Sequence, residues 1–126
     1  MSKRELETIV REWQERLGLA TWDISVDWGV MEEEEGRASV WRSRDYDEAR
    51  IRFNREFRKL DTLGAHRLVV HELLHLLSRD VEHILDLLED QLHRDVGVVA
   101  RRSHEHAVEQ MVERLAYRFV EIAGVR

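Results

Sequence analysis

From Leu68 to Leu77 the chain is apolar at every position except His71, Glu72 and His75. Wound into a helix, Leu68, Val69, Val70, Leu73, Leu74, Leu76 and Leu77 cover a wide arc, and His71 and His75 share the opposite side. A helix that is apolar nearly all round has to be buried, so its two histidines face a cleft, a partner or solvent. In the plainest reading they form an exposed stripe, with Glu72 paired to a nearby arginine. A stripe carrying only this trio is oddly selective for that. The surrounding chain is large enough to bury the segment: at 126 residues and 43% hydrophobic it suits one modest core, burying about two-thirds of its unfolded surface. Residues 1–126 are expected to form a single domain.

The segments before this helix have a different period. Ser2 and Glu5 have capping-box spacing, Leu6, Ile9, Val10, Trp13 and Leu17 recur at helical intervals, and Gly18 is a natural stop. Beyond Gly18 the pattern alternates. Trp22, Ile24, Val26 and Trp28 point one way, and Asp23, Ser25 and Asp27 the other, as in a half-buried strand. Glu32–Gly36 reads as a loop, Ala38 to Arg42 as a short strand, and Arg44 to Glu48 as a polar turn. Ala49, Ile51 and Phe53 alternate with Arg50, Arg52 and Asn54 in a third strand covered on one side. From about Thr62 the pattern is helical. A helix from Val81 to His93 is expected to break at Gly97, with a last helix from Val98 or Ser103 to Ala123. The order of helix, three strands and three helices predicts an α+β fold.

Composition removes several classes. Without cysteine there is no disulfide scaffold and no thiolate metal site, so a metal would need His, Asp, Glu and water. No apolar run is long enough to span a bilayer and no leader opens the chain, so a cytoplasmic location is expected, with no membrane partner. The net charge of −6 argues against general nucleic-acid binding. The arginine-rich stretch with Arg42, Arg44, Arg50, Arg52, Arg55, Arg58 and Lys59 reads first as a solvated loop and outer sheet face, and second as a basic wall beside an anionic substrate. Trp13, Trp22, Trp28 and Trp41 read as packing residues, and His66, His83 and His93 as surface or satisfied histidines.

The trio carries the chemistry. Histidines four apart on a helix stack on one face, where both imidazoles can reach one ion at about 2.0–2.1 Å. Glu72, one step round, is aimed beside such an ion. There it could accept a proton from a metal-bound water and pass it to a leaving amine. A catalytic zinc normally takes three protein ligands and an open position. His104, Glu105, His106 and Glu109 all qualify for the third place, and pattern alone does not choose among them. On the last helix Val108, Met111, Val112, Leu115 and Phe119 mark the core face. Glu109 and Glu113 lie on its flank, one turn apart.

His71-Glu72-Leu73-Leu74-His75 resembles the HExxH motif of the zincin superfamily. A downstream glutamate makes the chain most similar to the gluzincin branch, specifically to minimal phage- and bacterial-type metallopeptidases and the ImmA/IrrE-like group. Glu109, Val112, Glu113, Leu115 and Ala116 fall on the positions of that group's second motif, although Glu113 stands where a shorter Asp or Asn is common. The metzincin extension is absent, with Arg79, Asp80 and Val81 in its place. The resemblance implies a zincin-like domain: an N-terminal helix, a mainly antiparallel three-stranded sheet, and three helices that include the HExxH helix. It implies one Zn2+ per chain held by His71, His75 and Glu109, with Glu113 behind a histidine and Glu72 activating a zinc-bound water for peptide hydrolysis. It further implies that an extended peptide pairs with an edge strand, placed here at Ala49–Asn54. Tyr46, Tyr117, His104, His106 and Arg101 are candidates for stabilising the oxyanion. Two other readings share this fold and metal, a catalytically silent protein-binding module and a zinc-dependent hydrolase of a non-peptide bond.

Overall fold

A computed structural model of the chain describes residues 1–28, 38–89 and 94–125. The Glu32–Gly36 segment and His93 lie outside them. Helix α1 spans Lys3–Arg16. The Glu5 N–H donates to Ser2 Oγ at 3.2 Å and the Ser2 N–H donates to Glu5 Oε2 at 3.2 Å, closing the capping box. Leu6, Ile9, Val10 and Trp13 are buried along one stripe. Gly18, at φ +74°, turns the chain out of the helix in a backbone region that costs a side-chain-bearing residue energy.

Three strands follow: β1 (Asp23–Trp28), β2 (Ala38–Arg42) and β3 (Glu48–Phe53), in the spatial order β1-β3-β2. β1 runs parallel to β3, with Val26 opposite Ile51, and β2 runs antiparallel to β3, with Val40 opposite Ile51. The sheet is therefore mixed and not mainly antiparallel. After β2 the chain reverses and returns between its two predecessors, which sets β1 and β3 in the same direction. That order also corrects the placing of an edge strand at Ala49–Asn54. β3 is paired on both sides and has no main-chain edge to offer. Among the described residues the outer strands are β1 and β2.

Side-chain parity follows the alternation read from the sequence. Ala49, Ile51 and Phe53 are fully buried, and the register puts Ile24, Val26 and Trp28 from β1 and Ala38, Val40 and Arg42 from β2 on the same face. Arg50 and Arg52 lie on the outer face near Asp27, 3.7 and 3.9 Å from its carboxylate. Trp41 departs from the packing expectation, at 55% exposed on that outer face.

A 3-10 turn at Arg55–Lys59 leads into α2 (Thr62–Leu77), capped by Asp61, whose Oδ1 accepts the Gly64 N–H at 2.7 Å. α3 spans Arg79–Glu89 and α4 spans Arg94–Ile122. α4 runs through Gly97, so the expected break does not occur there. One interior glycine costs a helix only about 1 kcal/mol relative to alanine, an amount that a helix of 29 residues can absorb. The inner sheet face, α1, α2 and the Val108, Val112, Ala116 and Val120 stripe of α4 share one core. His66 sits in it as an acceptor, taking the Trp13 Nε1–H on its Nδ1 at 2.8 Å. No helix among the described residues is long and apolar enough to cross a membrane.

Candidate metal centre

α2 is buried on most of its surface, including Ala65, Val69, Val70, Leu73, Leu74 and Leu76. The burial fixes its rotation. His71 and His75 are then left facing α4, which packs alongside through Val108, Val112 and Ala116. Because those apolar residues face inward, Glu109 and Glu113 are carried on the flank that overlooks the two imidazoles.

The donor atoms converge. His71 Nε2 lies 2.8 Å from Glu109 Oε1, His75 Nε2 lies 3.2 Å from Glu109 Oε2, and the two Nε2 atoms are 3.4 Å apart. Ligands bonded to a tetrahedral zinc at 2.0–2.1 Å stand about 3.3 Å from one another. One ligand atom from each of the three residues falls within 4.8 Å of the others, so the set already has the spacing of three corners around one ion. His104, Glu105 and His106, the other candidates for the third place, are not in this group. His104 instead lines a separate apolar cavity with Leu74, Leu77 and Met111.

The protonation pattern also suits a cation. A carboxylate only accepts, so the 2.6 Å contact between His71 Nδ1 and Glu113 Oε2 places the proton on Nδ1. In the neutral ring this leaves the Nε2 lone pair turned toward Glu109 and His75. A glutamate behind the ring fixes its orientation and tautomer. Burial holds the His75 pKa below its ordinary value, against the pull of Glu109, which favours the neutral form that ligates.

Glu72 is only 6% exposed. It lines a cavity of about 290 Å³ together with His71, His75, Glu109, Val40 and Arg42. Burial raises its pKa to about 7; the nearby His71 works against this, and Glu109 and Glu113 add to it. Nothing else in the cavity has this character. It is a carboxyl group poised near neutrality beside the three donors.

β2 forms the opposite wall. The Ser43 N–H donates to the Glu48 carbonyl at 2.9 Å, which makes Ser43–Glu48 a bonded pair of the antiparallel ladder. Alternation then makes Trp41–Arg50 and Ser39–Arg52 bonded pairs as well. The main-chain N–H and C=O groups of Ala38, Val40 and Arg42 consequently point away from β3, along the free side of β2. Those same residues line the cavity.

The oxyanion candidates lie elsewhere. Tyr46 is exposed, Tyr117 lies under the Arg67 guanidinium at 3.9 Å, Arg101 pairs with Asp86, and neither His104 nor His106 lines the cavity. Among the described residues, Arg42 is the cation that does. The sequence reading missed it, and its place in the Ala38, Val40, Arg42 parity is the one signal that could have found it.

The chain matches no protein-family model, no curated protein and no solved structure. The zincin relationship is thus a resemblance carried by residues 71–75 and 109–116.

Two outcomes follow from this geometry. In zinc titrations, Glu109→Gln should weaken binding more than Glu113→Gln, whose loss should fall at about 10–100-fold; equal affinities for wild type and Glu109→Gln would remove Glu109 from the ligand set. The second concerns metal-free protein. Glu72 titrates near 7 when folded, against an ordinary value near 4.5, so its burial costs nothing below pH 4.5 and destabilises increasingly as pH rises toward 7. Metal-free Glu72→Gln should gain on wild type over that interval by up to about 3 kcal/mol, as read by denaturant unfolding. A gap independent of pH would contradict the placement of Glu72.

Proposed function

We propose that the chain is a zinc-dependent peptidase in which His71, His75 and Glu109 hold the metal and Glu72 is the general base and acid. The observation that carries this reading is Glu72 itself, a buried carboxyl sharing one cavity with three convergent donors and with β2, an outer strand among the described residues. A purely structural metal site has no use for such a group.

When bound, zinc would supply Lewis acidity, polarising the substrate carbonyl and making water easier to deprotonate. The chain's own residues do the rest. An extended peptide adds to β2 through the outward N–H and C=O groups of Ala38, Val40 and Arg42, which lays its carbonyl along the cavity that Glu72 lines. A positive charge held by the donors favours the ionised form of Glu72, whose carboxylate oxygen takes a proton from the attacking water. As the C–N bond breaks, Glu72 returns that proton to the amine nitrogen. Glu113 keeps the proton of His71 on Nδ1 throughout.

A non-catalytic protein-binding module would use the same β2 edge and differ only in leaving bonds intact. Hydrolysis of nucleic acid draws no support from Arg50 and Arg52, which lie on the far face of the sheet.

Zinc-loaded protein should cleave members of a mixed peptide library, followed by mass spectrometry. Glu72→Gln should lose at least about 100-fold in rate while keeping its zinc. A fully active Glu72→Gln would sink the mechanism, and intact peptides throughout would favour the binding module.

A further inference from the structure

Beyond the Arg42 end of β2 lies a second cavity, of about 270 Å³, lined by Arg42, Arg44, Arg79, Glu82, His83 and Asp86. Arg42 borders both this cavity and the one holding Glu72 and the three donors. A strand paired along β2 and passing the donors would therefore reach it within about two residues, at roughly 3.3 Å each.

We propose that this second cavity is a specificity pocket that takes the side-chain carboxylate of an acidic residue close to the hydrolysed bond. The proposal rests on the peptidase reading for the word "hydrolysed", and on the β2 edge for the approach of the peptide. The charge count around the pocket motivates it. Arg42 pairs with Glu82, Arg79 with Asp47 at 2.9 Å, and Arg101 with Asp86. Arg44 differs, because its Nε–H donates to His83 Nδ1 at 3.2 Å, an imidazole lone pair and not a carboxylate. Among the described residues the lining itself holds three guanidiniums, of Arg42, Arg44 and Arg79, and two carboxylates, of Glu82 and Asp86, and the surplus positive charge sits on the exposed Arg44. Burial and the neighbouring Arg79 both press on the charge of Arg42 and lower its pKa, which an arriving anion would relieve. A lysine or arginine of the peptide would meet three guanidiniums instead.

The pocket is also held in shape. Arg79 Nη1 donates to the Tyr46 carbonyl at 2.7 Å, and the Tyr46 N–H donates to Ser43 Oγ at 3.3 Å. The turn that presents Arg44 is thereby tied to α3. Preorganised guanidinium donors suit a carboxylate, which they can grip through paired N–H groups. The chain's overall negative charge would repel acidic peptides, so a local positive site is what recognition of one requires.

The test uses binding, so that it does not depend on turnover. A set of extended peptides, blocked at both ends, carries one glutamate stepped through successive positions, each matched by a glutamine twin. Their affinities are measured by calorimetry on zinc-loaded Glu72→Gln, and by the fluorescence of Trp22, whose ring lies 4.5 Å from the Arg79 guanidinium. In one register the glutamate peptide should bind at least about fivefold more tightly than its twin, with the advantage shrinking in salt. Arg44→Gln should bring the pair together, and Arg44→Glu should turn the preference toward lysine. Equal affinities in every register, no binding in any, or a preference that survives Arg44→Gln would each overturn the proposal. A glutamate preference in binding without cleavage by wild type would leave the pocket standing and remove the peptidase reading. Cleavage indifferent to the acidic residue would do the opposite.

Discussion

The seam between α2 and α4 governs the rest of the molecule. Val69, Val70, Leu73 and Leu76 of α2 and Val112, Ala116 and Val120 of α4 are almost wholly removed from water, and each buried aliphatic side chain stabilises the fold by about 1.5–3 kcal/mol. The polar contacts across the same seam are weaker. Glu109 and Glu113 have side chains 58% and 54% exposed, and their hydrogen bonds to the imidazoles, open to solvent on the carboxylate side, contribute about 0.5–1.5 kcal/mol each. Apolar packing therefore sets the separation and rotation of the two helices. The carboxylates are carried opposite the imidazoles as a consequence. Any change that slides α4 by one turn would leave the histidines facing different residues while the core stayed apolar.

The electrostatics of the centre point the same way. Three carboxyl groups, from Glu72, Glu109 and Glu113, gather around two imidazoles; burial is the first cause that raises the pKa of Glu72, and the other two carboxylates add to it. Such a group of acids is costly to assemble unless something positive joins it. A divalent ion would lower the cost at once and return Glu72 to the ionised form a base needs. On the other side of the cavity, β2 is bonded among the described residues along one side only, to β3. It offers alternate main-chain groups where a peptide could lie, and runs on to the arginine cluster at its end. The three donor side chains, Glu72, the β2 edge and the charged cavity adjoin one another because α2, α4 and β2 meet there.

Much of this was legible in the chain itself, and the reason differs from element to element. The Ser2–Glu5 cap and the Gly18 stop are local interactions, complete within a few residues. Alternation over 23–28 and 49–53 assigns each side chain to a face, and those faces hold, whereas Asn54, expected on the outer face, is buried as the cap of the following 3-10 turn. The pattern says nothing about which strand lies beside which, and so the central place of β3 could not be read from it. Gly97 misled because a glycine marks a helix end only when tertiary packing does not carry the helix through. His71 and His75 are bound together by helical geometry alone. Choosing Glu109 over its neighbours rested on the resemblance, because periodicity alone left His104, Glu105 and His106 open as well. Arg42 was hidden among many arginines, since its role depends on the parity of a short strand and on the partners that α3 brings to it.

The central claim is that one ion is shared by His71, His75 and Glu109, and it is addressed most directly by a crystal structure of zinc-soaked protein with anomalous data collected across the zinc absorption edge. The account predicts a single strong peak bonded to both Nε2 atoms and to the Glu109 carboxylate at about 2.0–2.2 Å, with Glu72 alongside and not bonded to it. A cavity without a peak, or a peak whose protein ligands omit Glu109, would contradict it.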